Sequence, residues 1–276
     1  NEEDDIIPRA EDEVFYQLPQ GDYDWEEKVV DYYNKYGFYI LYKFEEKDLY
    51  WNNTGWTKFV ESGDDYIYDA TSMGSLLGEP ADPEYAGRVL EMCENCCFNL
   101  YPDDYLNYMP LRFLLCSELS NVVVAQTIYV DGVAVTIRDT VKINVYRSFS
   151  RMAVNWASSD LDTITSTDKL TFSKDLNAEF ISVLRENDVF EYDEDFMIMG
   201  HSYSYANLVG ENLFKRGFLT SSTLVNGNVT QSRINDFMAF LKLCTVPLDL
   251  LNAEPASVGS QDTAPSLIGL FNRKYN

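Results

Sequence analysis

The stretch NVVVAQTIYVDGVAVTIRDT, residues 121–140, sets Asp131 and Gly132 between two runs rich in branched apolar residues. Aspartate followed by glycine tolerates the positive φ angles of a two-residue hairpin turn, so the two runs are predicted to pair antiparallel. Upstream, YPDDYLNYMPLRFLLCSEL reads as a loop entering a strand, with Pro102 and Pro110 breaking any long helix. VKINVYRS, residues 141–148, reads as a further strand, and FYILYKF, residues 38–44, as an earlier one rich in aromatic and branched side chains.

Helical periods flank these strands. Trp25, Val29, Tyr32, Tyr33 and Tyr36 keep helical spacing, and Gly37 supplies a C-terminal stop. Trp51, Trp56 and the NNTG between them mark a turn-rich segment. Later helices are predicted over 167–187, capped by Ser173 or a nearby polar residue, over 196–217, and over 232–245. Helix, then strands, then helices argues for an α+β fold with a mixed or antiparallel sheet. The opening NEEDDIIPRAEDEV reads as solvated, so residues 1–20 are expected to form an acidic mobile tail and 21–276 a single domain.

Lys and Arg number 21 against 45 Asp and Glu, for a net charge of −24. Such a surface repels phosphate backbones and anionic lipid, which argues against a nucleic-acid partner. No apolar run approaches the length of a membrane span, and no signal peptide is read at the start. The five cysteines include a crowded trio, Cys93, Cys96 and Cys97. On a helix these share a face with Tyr85, Val89, Met92 and Leu100, and free thiols behave as small buried hydrophobes, so packing outweighs metal binding here. A disulfide from Cys93 or Cys97 to Cys116 is the first pairing to expect if any forms.

His201 is the only histidine. It opens HSYSYANLV, residues 201–209, whose spacing invites comparison with the H-E-x-x-H helix of zinc peptidases. Taken with YNKYGFYILYKFEEKDLYWNNTGW (33–56), RGFLTSS (216–222) and NDFMAF (235–240), it resembles one family. These are the zincin-like metallopeptidase lipoproteins found beside outer-membrane glycan-uptake systems, whose motif helix reads H-E-F-A-H-x-x-H-Q. The resemblance implies a zincin-like domain built around that helix, and a lipid anchor upstream of Asn1 holding the protein at the outer membrane, facing the cell surface or periplasm.

The departures fall on the chemistry. His201 matches the first ligand, but Ser202 replaces the general base, Tyr205 the second ligand and Leu208 the further histidine. In the later segment Asn235 and Ala239 replace glutamates, and only Asp236 matches. A catalytic zinc needs about three protein ligands and an open water position. No metal or other cofactor is therefore expected, and His201 is predicted to be half-buried on one helical face with Met197, Tyr205 and Leu208.

Other catalytic constellations are missing from the sequence. There is no G-x-S-x-G elbow and no glycine-rich phosphate loop. Acid groups such as Glu191, Asp193 and Asp195, or Asp64 and Asp65, read as solvated surface in so acidic a chain. Aromatic residues are abundant, and Trp51, Trp56 and Tyr66 are candidates to stack on sugar rings, with His201 and Tyr205 lining any surviving cleft. The expectation is a non-catalytic surface lipoprotein that binds glycan or peptide beside nutrient-uptake components. The alternative is a metal-dependent peptidase or hydrolase with an atypical site around His201.

Overall fold

The computed structural model describes residues 15–52, 55–59, 75–191, 196, 204–219 and 222–247. Over these residues the protein is a mixed α+β fold with a six-stranded mixed sheet and a separate two-stranded one. Among the described residues, no helix is long and apolar enough to cross a membrane.

Helix α1 (Glu26–Tyr36) ends where Gly37 adopts φ 79° and its N–H returns to the Tyr33 carbonyl. The chain then enters β1 (Tyr39–Leu41), whose three residues are all buried. Helix α2 (Glu46–Tyr50) follows, opened by a capping box in which the Asp48 carboxylate returns to the Glu45 N–H. It runs directly into β2 (Trp51–Asn52), which pairs with β3 (Gly55–Trp56). After β4 (Leu76–Pro80), helix α3 (Pro83–Cys96) starts with Asp82 as cap and proline at its first position, where a missing N–H costs nothing. Helix α4 (Asp103–Leu106) leads to the strand that organises the sheet.

That strand, β5, spans Arg112–Val130. Its first four residues lie between β1 and β8 (Arg151–Val154), parallel to both, and β7 (Val145–Ser148) adds antiparallel outside β8. The rest of β5 pairs antiparallel with β4 and with β6 (Val133–Lys142). The β5–β6 turn has Asp131 at φ 52° and Gly132 at φ 84°, the double positive φ expected of Asp-Gly. One extra residue, Ala125, forms a bulge in β5 where the register shifts between Val124 and Gln126.

Side chains alternate across the sheet and so divide the interior in two. Phe113, Leu115, Met152 and Val154 face α1, α3 and the long α5 (Ser166–Glu186). Leu114, Cys116, Ala153 and Leu41 face α2 and β4. This alternation rules against the expected disulfide: Cys116 packs on one side of the sheet while Cys93 and Cys97 pack on the other, and all five cysteines are free thiols. Leu100, expected on the cysteine face, is exposed because α3 ends at Cys96.

Two other expectations are revised. Helix α5 is capped by Thr165, not Ser173: Thr165 and Asp168 bond reciprocally, while Ser173 lies buried two turns inside and donates to the Cys96 carbonyl. The expected continuous helix over 196–217 is also broken. Phe196 is helical, but Ser204 is extended (φ −100°, ψ 171°) and caps a single turn, α6 (Tyr205–Leu208), with Asn207 bonding back to it. Val209 is extended again and Gly210 takes φ 75°, so the helix stops there. The last helix, α7 (Val229–Cys244), is capped by Asn228 and packs towards α5. Of the expected tail, residues 15–20 are described and anchored: Tyr16 donates to Asp48, Leu18 packs against the core, and Gln20 bonds the backbone of Tyr42 and Lys43.

Candidate functional site

His201, Ser202 and Met197 lie outside the described residues, as do Tyr66, Asp64, Asp65, Asp193 and Asp195. Two motif positions can be placed. Tyr205 opens α6 with its ring exposed, and Leu208, three residues on, is buried against Leu213 and Phe218. Asp236, on α7, is buried, and its carboxylate accepts the Leu219 N–H, fastening a loop to the helix. Among the described residues, no three His, Cys, Asp or Glu side chains cluster closely enough to hold a metal ion.

The aromatic candidates are better defined. Trp51 is 54 % exposed, and its Cα partner across the β2–β3 pair is Trp56. The Trp51 carbonyl points inward and accepts from Arg151 Nη1. Arg151 is fully buried, with its guanidinium 5.7 Å from the centre of the Tyr146 ring. Its register partner on the adjacent strand is Arg112. Arg112 reaches Asp48 at 3.4 Å and the Tyr16 hydroxyl at 3.5 Å through Nη1, and donates to Ser150 through Nη2. Strand parity explains the meeting: Arg112, Arg151 and Tyr39 are in register and point to the α2 side of the sheet, where the α2 capping box delivers Asp48.

Electrostatics follow from burial. The Tyr16 hydroxyl donates to Asp48, and burial first, then that hydrogen bond to a carboxylate, push its pKa up to about 12. Burial, with Arg112 adding to the effect, pushes the Arg151 guanidinium below its ordinary value. Three guanidinium nitrogens of the pair, Arg112 Nε and Arg151 Nε and Nη2, are buried without a hydrogen-bond partner. Beside this network lies a cleft of about 500 Å³, lined by Phe15, Tyr16, Lys43, Phe44, Glu45, Lys47 and Asp48.

A second cleft, about 370 Å³, is lined by Arg88, Met92, Asn95, Cys96 and Lys169. Its thiol is not an activated nucleophile: burial pushes Cys96 up to about 12, and Cys93 and Cys97 are driven up by the same cause.

The sequence reading found Trp51 but not the arginines beneath it. Their local signal is slight: each is the first residue of an apolar strand, in RFLLC and RMAV. What makes them a pair is the parallel alignment of two strands distant in sequence. Family models, curated proteins and solved structures were compared with the chain, and none matches.

Proposed function

We propose that this protein is a binding module with a zincin-derived fold, lipid-anchored at the outer membrane, that captures glycan or peptide for an uptake system and does not cleave it. The observation that carries the binding half is the presentation of Trp51. An exposed indole sits on a short hairpin whose backbone is fixed from below by a fully buried guanidinium. A flat apolar face held in place suits a sugar ring or an extended peptide at low ordering cost, and the arginine–Asp48 network beneath it also borders a cleft with aromatic and charged walls.

The non-catalytic half is supported by Ser204. A three-ligand helix site needs residues 201, 205 and 208 on one continuous face. Extended Ser204 stands between the first position and the other two, which carry tyrosine and leucine.

The test is a panel of neutral oligosaccharides and peptides titrated against the full chain by tryptophan fluorescence, with hydrolysis of the same compounds followed in parallel and zinc content measured. Saturable binding without turnover is the expected result. Turnover that disappears in His201→Ala, or stoichiometric zinc lost in that variant, would overturn it in favour of a metal-dependent hydrolase. Release of the full-length precursor as an unlipidated soluble product would remove the anchor.

A further inference from the structure

We propose that the β5–β6 hairpin arm docks, by its apolar side, onto the same side of a second copy of this chain, the two arms stacked face to face about a two-fold axis. This stands apart from the glycan or peptide reading, which rests on the Trp51 hairpin. Beyond Val122, β5 has no strand partner but β6 among the described residues. Most residues of this ribbon are exposed. A two-stranded ribbon standing alone in water is marginally stable, so a covering partner adds to it. Cross-strand neighbours share a side, which groups Val130 with Val133, Gln126 with Ile137, Val123 with Asp139 and Asn121 with Val141. That side carries five exposed branched apolar residues: Val123, Val130, Val133, Ile137 and Val141.

The other side differs. Arg138 lies over the Phe59 ring at 5.6 Å, and Lys142 meets Asp160 at 2.7 Å and the Trp156 ring at 3.8 Å. Both basic side chains of the arm are thus turned away from the apolar side and engaged by the chain itself. Val124 and Tyr129 are exposed there too, but Thr127 stands between them. The single charge on the apolar side is Asp139, whose carboxylate accepts the Thr140 N–H at 2.8 Å. Val130 and Val133 flank the two-residue turn, so odd-numbered amides of β6 face β5 and even-numbered ones face outward. Asp139 is therefore drawn off the face to the outer edge of β6. There it occupies a donor that an added strand would need, which favours stacking over edge pairing.

Charge selects the occupant. Residues 121–142 hold two acidic and two basic side chains, so the arm is neutral and the rest of the chain carries the full −24. A basic partner is drawn to that acidic body and an anionic membrane is repelled by it; a second copy is repelled everywhere except over the arm. The free ribbon is about eight residues a strand, or roughly 25 Å. Arms stacked tip to base hold the two bodies that far apart, against a Debye length of about 8 Å at physiological salt. A two-fold contact lays one patch on itself, and short branched side chains make this patch flat. Two strands of that length present roughly 250 Å², well under the ~800 Å² per partner of a stable complex. The dimer is accordingly weak and forms at high protein concentration.

The experiment is sedimentation equilibrium of the full chain up to about 1 mM protein, at about 50 and about 500 mM sodium chloride. A reductant is present throughout, because Cys244 is an exposed thiol. The expected result is a monomer–dimer equilibrium that moves towards dimer as salt rises, since salt screens the repulsion between bodies and leaves the apolar contact in place. Ile137→Lys sets a charge on the apolar side and should weaken the dimer by about tenfold or more, whereas Tyr129→Lys sets the same charge on the other side and should change it by no more than about twofold. A monomer at every concentration and both salts overturns the proposal. A dimer that salt dissolves overturns it too, as do equal losses from the two variants or assembly beyond the dimer. Both side chains are exposed, so the fold should survive; if Ile137→Lys does not fold, Val133→Lys tests the same side.

Discussion

Arg112 and Arg151 stand opposite each other on parallel strands, and a single carboxylate, Asp48, contacts the first of them at 3.4 Å. Two like charges held side by side in a low-dielectric interior repel, so Asp48 is the group that permits their proximity. Asp48→Asn keeps the shape but removes that charge and one of the two acceptor oxygens that serve the Glu45 N–H and the Tyr16 and Arg112 donors. Breaking a buried ion pair from one side costs about 3–5 kcal/mol, and chemical denaturation should show a loss of that order. A loss below about 1 kcal/mol, the value of an exposed pair, would mean that solvent reaches the cluster.

Alkaline pH should destabilise the fold over a defined window. Tyr50 is buried, donates to the Gly78 carbonyl and accepts the Gly78 N–H at 2.8 Å. Burial raises its pKa from 10.0 to about 12. Above 10 the unfolded chain loses this proton while the folded one keeps it, so stability falls as pH rises from 10 to about 12 and is unaffected below. Tyr16 is raised to about 12 and adds to the same window. Tyr50→Phe strands both polar groups of Gly78, costing about 1–3 kcal/mol at neutral pH, and flattens part of the alkaline loss. Equilibrium unfolding as a function of pH checks both statements.

Trp51 separates binding from stability. Its ring is mostly exposed, and the anchoring bond to Arg151 comes from its backbone carbonyl. Trp51→Ala keeps that carbonyl, so stability should change by no more than about 0.5 kcal/mol. Ligand affinity should fall by about 2 kcal/mol, as for an aromatic anchor. Calorimetric melting and the oligosaccharide and peptide titrations, run on the same preparation, distinguish the two effects.

Thiol chemistry should sort by depth. Cys244 is exposed, Cys96 half-buried with its pKa near 12, and Cys93, Cys97 and Cys116 buried and pushed above the ordinary thiol value. A chromogenic disulfide reagent at mildly alkaline pH is expected to titrate one thiol rapidly, Cys96 slowly, and the remaining three only on unfolding. Rapid reaction of two or more thiols in the native protein would contradict this order.

Local signals in the chain were legible where the physics is local. Asp131-Gly132, the Gly37 stop and the Val29 face of α1 each depend on residues within a turn or two, and each is found where the sequence places it. The α6 boundary was equally local, written in Ser204-x-x-Asn207 and Gly210, but was masked by the pull of the motif spacing. The sheet was not local. Strand β5 reads as two strands because Ser120 and Asn121 interrupt its apolar pattern, yet it is one strand with different partners at its two ends. Parallel pairing has no turn signature, and so the meeting of Arg112 with Arg151 left no trace in either segment.

Ala125 sets the parity of the hairpin arm. Odd-numbered residues of β6 keep to one side throughout. Near the turn they stand beside even-numbered residues of β5, Val133 beside Val130 and Ile137 beside Gln126. Beyond the bulge they stand beside odd-numbered ones, Asp139 beside Val123 and Val141 beside Asn121. As a result Val123, Val130, Val133, Ile137 and Val141, all exposed, fall on the same side. Were Ala125 kept but paired in line instead of bulged, the odd and even classes would not exchange, and Val130 would fall on the side opposite Val123. Deleting Ala125 makes Val124 and Gln126 consecutive opposite Arg138 and Ile137, so these pairs survive without a bulge: the apolar side and its binding of a hydrophobic dye should be kept while the local bend is lost. By taking Ala125 out of the alternation, the bulge keeps these four valines and Ile137 on one side of the arm.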